Sequence, residues 1–435
     1  MEEQTSIPKH KLMRAASLTK AGAKIGGNFL KYYGKKVLTG VDDKEQLHRE
    51  NAQSSYASFS RLKGGPLKVA QMLSIEKSLL PPAYNEQFSQ AHYSAPPLSY
   101  PLVAKTFRAE LGANPDTIFD TFSRKAVSGA SIGQVHRASK EGVEYAVKVQ
   151  YPGVAESLQS DLRLVKPIAI RMFNLDARSI KPYFKEIEER LMEETDYLLE
   201  LRRAVELIEK SSHLPNVRFP KYYSAYSSRR IITMDWMEGI TLDKFADGNS
   251  DEQLRDKIGQ ALWDFYHFQV HELNVFHADP HPGNFLVDGD ALVVLDFGCV
   301  KALEPVFYRN FFALIKRQCF EDRRVLREHL KKLGLILPGD SGREQALLLD
   351  VYSESIELLA RPFHAGEKLF DFGDPAYLEE IYAFGEKSNS NKELQRLNNA
   401  RGSVHALYVN RAYFGLYNLM ARLKAKVRTQ LPDLG

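Results

Sequence analysis

Three features of the sequence predict an α+β fold. Residues 119 to 127, 134 to 138 and 145 to 150 are short β-branched and aromatic runs, read as three antiparallel strands with Lys140-Glu141-Gly142 as the second turn. Amphipathic helical patterns flank them and fill most of the rest of the chain. Between these helices stands the run His277-Ala278-Asp279-Pro280-His281-Pro282-Gly283-Asn284, followed by Asp296-Phe297-Gly298. That run has the layout of a phosphoryl-transfer centre, and the three features together predict a bilobal, protein-kinase-like arrangement.

In the kinase template one Asp orients or deprotonates the acceptor, an Asn five residues later holds magnesium, and a second Asp before Phe-Gly binds magnesium at the β- and γ-phosphates. Asp279, Asn284 and Asp296 fit those roles, with ATP/ADP and Mg2+ as the expected cofactors. The spacing has a mechanical reason. Phe285-Leu286-Val287 and Ala291-Leu292-Val293-Val294-Leu295 read as two buried strands joined by Asp288-Gly289-Asp290, so a hairpin should return Asn284 and Asp296 to one end. Two oxygen donors then converge on one hard cation. A second Asp371-Phe372-Gly373 has no such loop and hairpin before it and is read as a decoy.

With 435 residues, 44% hydrophobic and 26% charged, the composition is that of a globular protein of two or three domains. Cys299 and Cys319 offer neither a bridge framework nor metal-ligand spacing, which suits a reducing compartment. The net charge of +4 gives no indication of nucleic-acid binding. Its distribution says more. Lys9, Lys11, Arg14, Lys20, Lys24, Lys31, Lys35 and Lys36 are interleaved with Leu12, Met13, Leu18, Ile25, Phe29, Leu30, Tyr32 and Tyr33, without an acid. A helix lying on anionic lipid has this composition, and so does a solvated basic tail. No run of apolar residues is long enough for a transmembrane helix. Glu2 and Glu3 argue against a secretory signal, while an Arg/Ser-rich presequence near Met13 remains open. The expected location is therefore cytoplasmic with peripheral membrane association, an organelle matrix not being excluded.

Taken in order, residues 1–42 form the basic amphipathic segment and 43–115 a helical extension. Within the extension Gly64-Gly65-Pro66 should start a helix bearing Lys68-Val69-Ala70-Gln71, with Lys68 and Gln71 on one face. Residues 116–239 are expected to form the first lobe. There Lys148 faces opposite its apolar neighbours in Tyr145-Ala146-Val147-Lys148-Val149 and matches the strand lysine that binds α/β-phosphates. Ser128-Gly129-Ala130-Ser131-Ile132-Gly133-Gln134 stands where a glycine-rich loop would cover phosphates, and the Cβ atoms of Ala130 and Ser131 limit backbone approach. Residues 181 to 211 read as one long helix carrying Glu194, Asp196 and Glu200, one glutamate of which should pair with Lys148. On a continuous helix Glu194 and Glu200 face different sides and serve different partners. Residues 229 to 236 read as a strand, with Asp235 and Met237 at the adenine-binding hinge. Residues 240–435 form the second lobe with additional helices. The chain enters a helix soon after Glu304-Pro305, with no Ala-Pro-Glu sequence and no room for a peptide-binding activation segment. The remainder to Lys426 reads as helical.

These motifs, over residues 45 to 430, resemble the UbiB family of atypical protein-kinase-like proteins of AarF and ADCK type. Lys68-Val69-Ala70-Gln71 is similar to its Lys-x-Gly-Gln signature, with Ala70 for Gly. Ser128 to Ser131 are similar to its alanine-rich loop, with Gly129 for Ala, and Glu194-Thr195-Asp196 to its Glu-x-Asp motif. The resemblance implies that Glu200 partners Lys148 and that Glu194 and Asp196 face the Lys68 helix. It also implies an N-terminal extension packed over the active site, and ATPase rather than protein-kinase activity in isoprenoid quinone biosynthesis or lipid homeostasis. The implied partners are nucleotide, an anionic membrane surface, an isoprenoid lipid or quinone precursor, and proteins of quinone biosynthesis. Two other readings compete. A small-molecule kinase of aminoglycoside or choline type shares the His-x-Asp-x4-Asn loop but not the Lys68 to Gln71 extension. A non-catalytic lipid-binding scaffold would not need Asp279, Asn284 and Asp296 together.

Overall fold

The computed structural model describes residues 43–62, 98–130, 132–172, 181–366, 368–397 and 401–430, with isolated positions between 24 and 35. Lys68, Gln71 and Ser131, and most of the basic segment, lie outside the described residues. The chain divides into two compact units, Met1–Arg202 with Lys221–Trp236, and Arg203–Pro220 with Met237–Gly435.

In the first unit, helix α1 (Lys44–Leu62) receives a hydrogen bond at Asn51 from the Asn28 side chain (2.8 Å). Tyr32, counted above toward a lipid-facing side, is buried. Helix α2 (Tyr100–Leu111) starts with a proline in its first turn and stops at Gly112, whose φ of +73° is a left-handed cap that glycine adopts without penalty. Its Val103 and Phe107 pack on Phe119, Phe122, Tyr145, Val147 and Val149, so the sheet's apolar face and the helix share one core. After α3 (Pro115–Ile118) come β1 (Thr121–Phe122), β2 (Ser128–Gly129), β3 (Gly133–Lys140) and β4 (Val143–Gln150). Glu141 and Gly142, at φ 52° and 78°, make a two-residue turn between β3 and β4 whose twist suits a hairpin.

The expected strand at 119 to 127 is only two residues long as β1. Beyond Phe122 side-chain bonds join the backbone pairing: Ser123 N–H donates to Arg137 O (2.8 Å), its Oγ accepts from Arg137 N–H (2.9 Å) and its carbonyl bonds the His136 ring (2.7 Å). Helix α4 (Val154–Met172) follows. The single helix expected over 181 to 211 is two, α5 (Lys181–Glu194) and α6 (Tyr197–Ser211). Thr195 hydroxyl donates to Met192 O (2.7 Å), and Asp196 Oδ1 accepts from the N–H groups of Leu198 and Leu199 (3.1 and 3.2 Å). A Thr-Asp pair thus ends one helix and caps the next. The chain then supplies β5 (Val217–Arg218) to the second unit and returns as β6 (Ile231–Asp235), giving the antiparallel order β1-β3-β4-β6 with β2 also on β3.

The second unit continues with β7 (Ile240–Thr241), α7 (Leu242–Gly248) and α8 (Glu252–His267), capped by Asp251. Helix α8 gives way to a π-helical turn at Phe268–Glu272. Strands β8 (Val275–His277), β9 (Phe285–Asp288), β10 (Ala291–Val294) and β11 (Val300–Ala302) follow. They form one sheet of order β5-β10-β9-β7 and a two-stranded pair of β8 and β11. Only two residues separate β11 from α9 (Pro305–Ala313). Then come α10 (Arg317–Glu321), α11 (Arg323–Lys332), α12 (Gly342–Ala360), β12 (Leu369–Asp371), α13 (Pro375–Ser390), α14 (Lys392–Arg396), α15 (Val404–Leu423) and β13 (Lys426–Arg428). The antiparallel pair of β12 and β13 is a departure from the all-helical expectation for this region.

Candidate active site

Lys148 lies on β4 between Val147 and Val149, which are buried in the core, so the strand's alternation sends the lysine to the opposite face. Its Nζ donates to both carboxylate oxygens of Glu200 (3.1 and 3.3 Å) and sits 5.1 Å from the Tyr197 ring centre. Both residues are buried, at 8% and 5% exposure, so the charges are compensated within the protein and not by water. Glu200 occupies the first turn of α6, where the helix dipole favours a carboxylate. Nearby, Gln150 donates to Thr195 O (3.1 Å), tying the α5–α6 break to β4. Gly133 lets the loop and sheet close: a Cβ there would stand 2.5 Å from Val149 O and 2.8 Å from Tyr197 Oη.

Ser128 and Gly129 are exposed on β2, and the half-buried Ala130 donates its N–H to Gly133 O (2.8 Å). Glu194 ends α5, and Asp196, besides capping α6, approaches Arg229 at 3.5 Å. Asp235 accepts from Lys221 N–H (2.9 Å) and Tyr223 hydroxyl (2.7 Å). Burial, and then this bond, push the Tyr223 hydroxyl up to about 12. The carboxylate of Asp235 therefore anchors the segment before β6. Met237 opens the irregular stretch with which the chain returns to the second unit.

In the second unit the hairpin has the expected consequence. Ala291 pairs with Asp288, leaving Gly289-Asp290 as the turn with Gly289 at φ +60°. At its open end Leu295 N–H donates to Asn284 O (3.0 Å), which brings Asn284 beside the residue preceding Asp296. Asn284 Nδ2 donates to the main-chain oxygen of Asp279 (3.0 Å) and to its Oδ2 (3.2 Å). Asp296 Oδ1 accepts from Gly298 N–H (2.7 Å), closing a tight turn.

His277, fully buried, links these parts. Its N–H donates to Gln269 Oε1 (3.0 Å), its Nδ1 accepts from Asp279 N–H (3.4 Å), and its Nε2 bonds the Asp296 carbonyl. With Nδ1 accepting, Nε2 is left to donate to the Asp296 carbonyl, and the ring serves as a spacer between the two aspartates. His281 Nδ1 accepts from Gly283 N–H (3.1 Å) and stiffens the loop before Asn284.

Sequence reasoning missed Arg411. On α15 its Nη2 bonds Asp279 Oδ1 directly, with the two side chains 16% and 20% exposed. A signal was present: Arg411 is the only Asp, Glu, Lys or Arg between Val404 and Ala421, in an otherwise Tyr- and Leu-rich helix.

Residues 90–330 match the family model of the ABC1 atypical kinase-like domain. This chain belongs to that family. It is thereby an atypical kinase-type enzyme with an α+β, bilobal kinase-like fold. Among ABC1 relatives, the chain is 29% identical to the "Probable serine/threonine-protein kinase abkA" of Dictyostelium discoideum, over 98% of this chain and 79% of that one. It is 28% identical to "Atypical kinase COQ8, mitochondrial" of Saccharomyces cerevisiae, over 85% and 72%. The chain spans about half the length of other curated relatives: 51% and 41% of two Arabidopsis thaliana proteins and 48% of abkB from Dictyostelium discoideum. The solved structure of Rv3197 from Mycobacterium tuberculosis, in complex with erythromycin, superposes with a TM-score of 0.61 at 24% identity, covering 90% of this chain and 96% of that one. At that identity the likeness shows the shared fold.

Proposed function

We propose that this ABC1-family chain is a magnesium-dependent ATPase or atypical small-molecule kinase of UbiB type that supports isoprenoid quinone biosynthesis or lipid homeostasis at a membrane surface. The observation that supports it most is the convergence of Asp279, Asn284 and the Asp296 turn at one end of the β9–β10 hairpin. On this reading Asp279 orients the acceptor or a water, while Asn284 and Asp296 hold Mg2+. Their donor set fits: one carboxylate and one amide oxygen suit a hard cation, and Asn284 has its amide nitrogen spent on Asp279, which leaves oxygen as its metal-facing atom. Among the described residues no cluster of three or more His, Cys, Asp or Glu could cage a metal. A magnesium site of kinase type needs none, because it takes one or two protein ligands and completes its shell with phosphates and water. Held by Asn284 and Asp296, magnesium would supply positive charge to offset the negative charge that develops during phosphoryl transfer.

Lys148, oriented by Glu200, is assigned to the α/β-phosphates of ATP, and Ser128 to Ser131 to covering them. The main chain at Asp235 and Met237 receives the adenine. Residues 43–115 are then the extension, 116–239 the nucleotide-binding lobe and 240–435 the lobe carrying the metal centre. Lys68 and Gln71, through Glu194 or Asp196, restrain turnover. The resemblance to UbiB proteins supports the quinone or lipid role, and the basic composition before Val41 supports contact with anionic lipid. A mitochondrial location, as in the printed name of the yeast relative, is compatible with that surface.

The test is ATP turnover by purified protein, with and without magnesium, anionic liposomes and a phenolic quinone precursor, the products being separated. Magnesium-dependent ADP formation, raised by liposomes and precursor together, is expected. Absence of magnesium-dependent turnover in every condition would reject the reading.

A further inference from the structure

We propose that Arg411 is a positioning residue for Asp279, and that α15 is seated on the loop at 279–280 so as to deliver it. The inference rests on the phosphoryl-transfer reading above. Asp279 is held from two directions. Its Oδ2 accepts from Asn284 within its own loop (3.2 Å), and its Oδ1 is bonded by Arg411, 132 residues further along the chain. Two donors on one carboxylate, one within the loop and one from α15, fix both its position and its rotation.

A second, independent observation places the helix there by design of its surface. Gly415, one turn after Arg411 and on the same face, lies against Pro280: a Cβ at 415 would stand 2.0 Å from Pro280 Cγ and 2.7 Å from its Cβ. Glycine is unfavourable in a helix interior, so its use at this position answers the close approach of the loop. The seat is also fixed elsewhere along the helix. Lys301, buried on β11, lies 5.1 Å from the Tyr408 ring centre, and the Tyr413 hydroxyl meets His271 Nε2 at 3.4 Å.

Arginine suits this task because its guanidinium is planar, directional and charged at every working pH, and a lysine would supply only a point charge. A bond that merely fastened α15 would show in stability alone. One that positions Asp279 shows in turnover number, since a small misplacement of a reacting group costs roughly 10- to 100-fold in rate.

The experiment uses the full chain with Mg-ATP and compares Arg411→Met, Arg411→Lys, Gly415→Ala and Asp279→Asn. Arg422→Met is the control, a loss of the same charge on the same helix at an exposed pair with Asp247. Melting temperature, kcat and KM are measured for each. Arg411→Met should lower kcat roughly 10- to 100-fold with KM nearly unchanged, and Arg411→Lys should recover part of that loss. Gly415→Ala should lower kcat in the same direction, and Arg411→Met should add no further loss to Asp279→Asn. Arg422→Met should match the unaltered protein. If Arg411→Met does not fold, the lysine and Gly415 variants carry the same test. An unaltered protein that turns over ATP while the Arg411 variants keep its kcat, or lose only melting temperature, would overturn the inference alone. No magnesium-dependent turnover in the unaltered protein would overturn the phosphoryl-transfer reading and this inference with it.

Discussion

Removal of either Lys148 or Glu200 strands the other charge in a site with little access to water, at a cost of about 3–5 kcal/mol. Lys148→Met and Glu200→Gln should therefore each lower stability in urea. The double substitution should cost less than the sum, and strict additivity would mean that the pair is not coupled. Single residues were legible in the sequence when a strand or a fixed spacing gave them a direction, as for Lys148 and for Asp279 with Asn284. Asp296 shows the limit of motif reading. The second Asp-Phe-Gly, at Asp371, makes the same local turn, with Gly373 N–H donating to Asp371 Oδ1 at 2.8 Å. Here, however, Lys424 packs against Gly373, and the preceding strand is β12 instead of a hairpin returning from an asparagine. The tripeptide specifies a turn, and the neighbours specify the chemistry. The lone charge of Arg411 was visible in the sequence but its partner was not: Asp279 lies 132 residues away, and no local pattern encodes that pairing.

Among the elements, helix interiors give a contrast between two glycines. A Cβ at Gly385 in α13 meets nothing within 4 Å, so Gly385→Ala should raise stability by about 0.5–1 kcal/mol through helix propensity. In α8, a Cβ at Gly259 would stand 2.4 Å from the Ala425 Cβ and 3.4 Å from Val427, so Gly259→Ala should destabilise despite the same propensity gain. Thermal unfolding of the two variants checks both signs. The hydrophobic periods of α2, α8 and α15 were legible in the sequence, because burial and helix period coincide there. The break between α5 and α6 was not, although its agents, Thr195 and Asp196, are ordinary capping residues. Continuous periodicity on both sides masked them. The first strand was overestimated because its aromatic residues, Phe119 and Phe122, serve the core without extending the ladder.

At the scale of the whole molecule, stability should depend on pH through buried imidazoles. Burial lowers His271 to about 4, and its Nδ1 is bonded to the Tyr308 hydroxyl at 2.8 Å. Burial, and then His271, also hold His267 well below the ordinary histidine value. Because the folded value lies below the unfolded one, the unfolded chain binds more protons between pH 6.5 and 4, and stability falls as pH falls through that window. For His271 the loss is at most roughly 3 kcal/mol. Melting temperature should decline from pH 6.5 to 4, and His271→Gln should flatten the decline; an unchanged slope would exclude this histidine as its source. Among the described residues no helix is long and apolar enough to cross a membrane. From the basic composition before Val41, association with anionic vesicles should weaken with salt, as surface electrostatics does, and flotation at two ionic strengths measures it.

Titration of ATP into the Asp296→Asn protein, with and without magnesium, tests whether Asp279, Asn284 and Asp296 form a magnesium–nucleotide centre. The substitution removes a formal charge from the metal site while keeping the shape of the turn. The unaltered protein should bind ATP in a magnesium-dependent manner, and the variant should lose that dependence together with the binding it supports. Binding of ATP by the variant with an unchanged magnesium requirement would contradict the account.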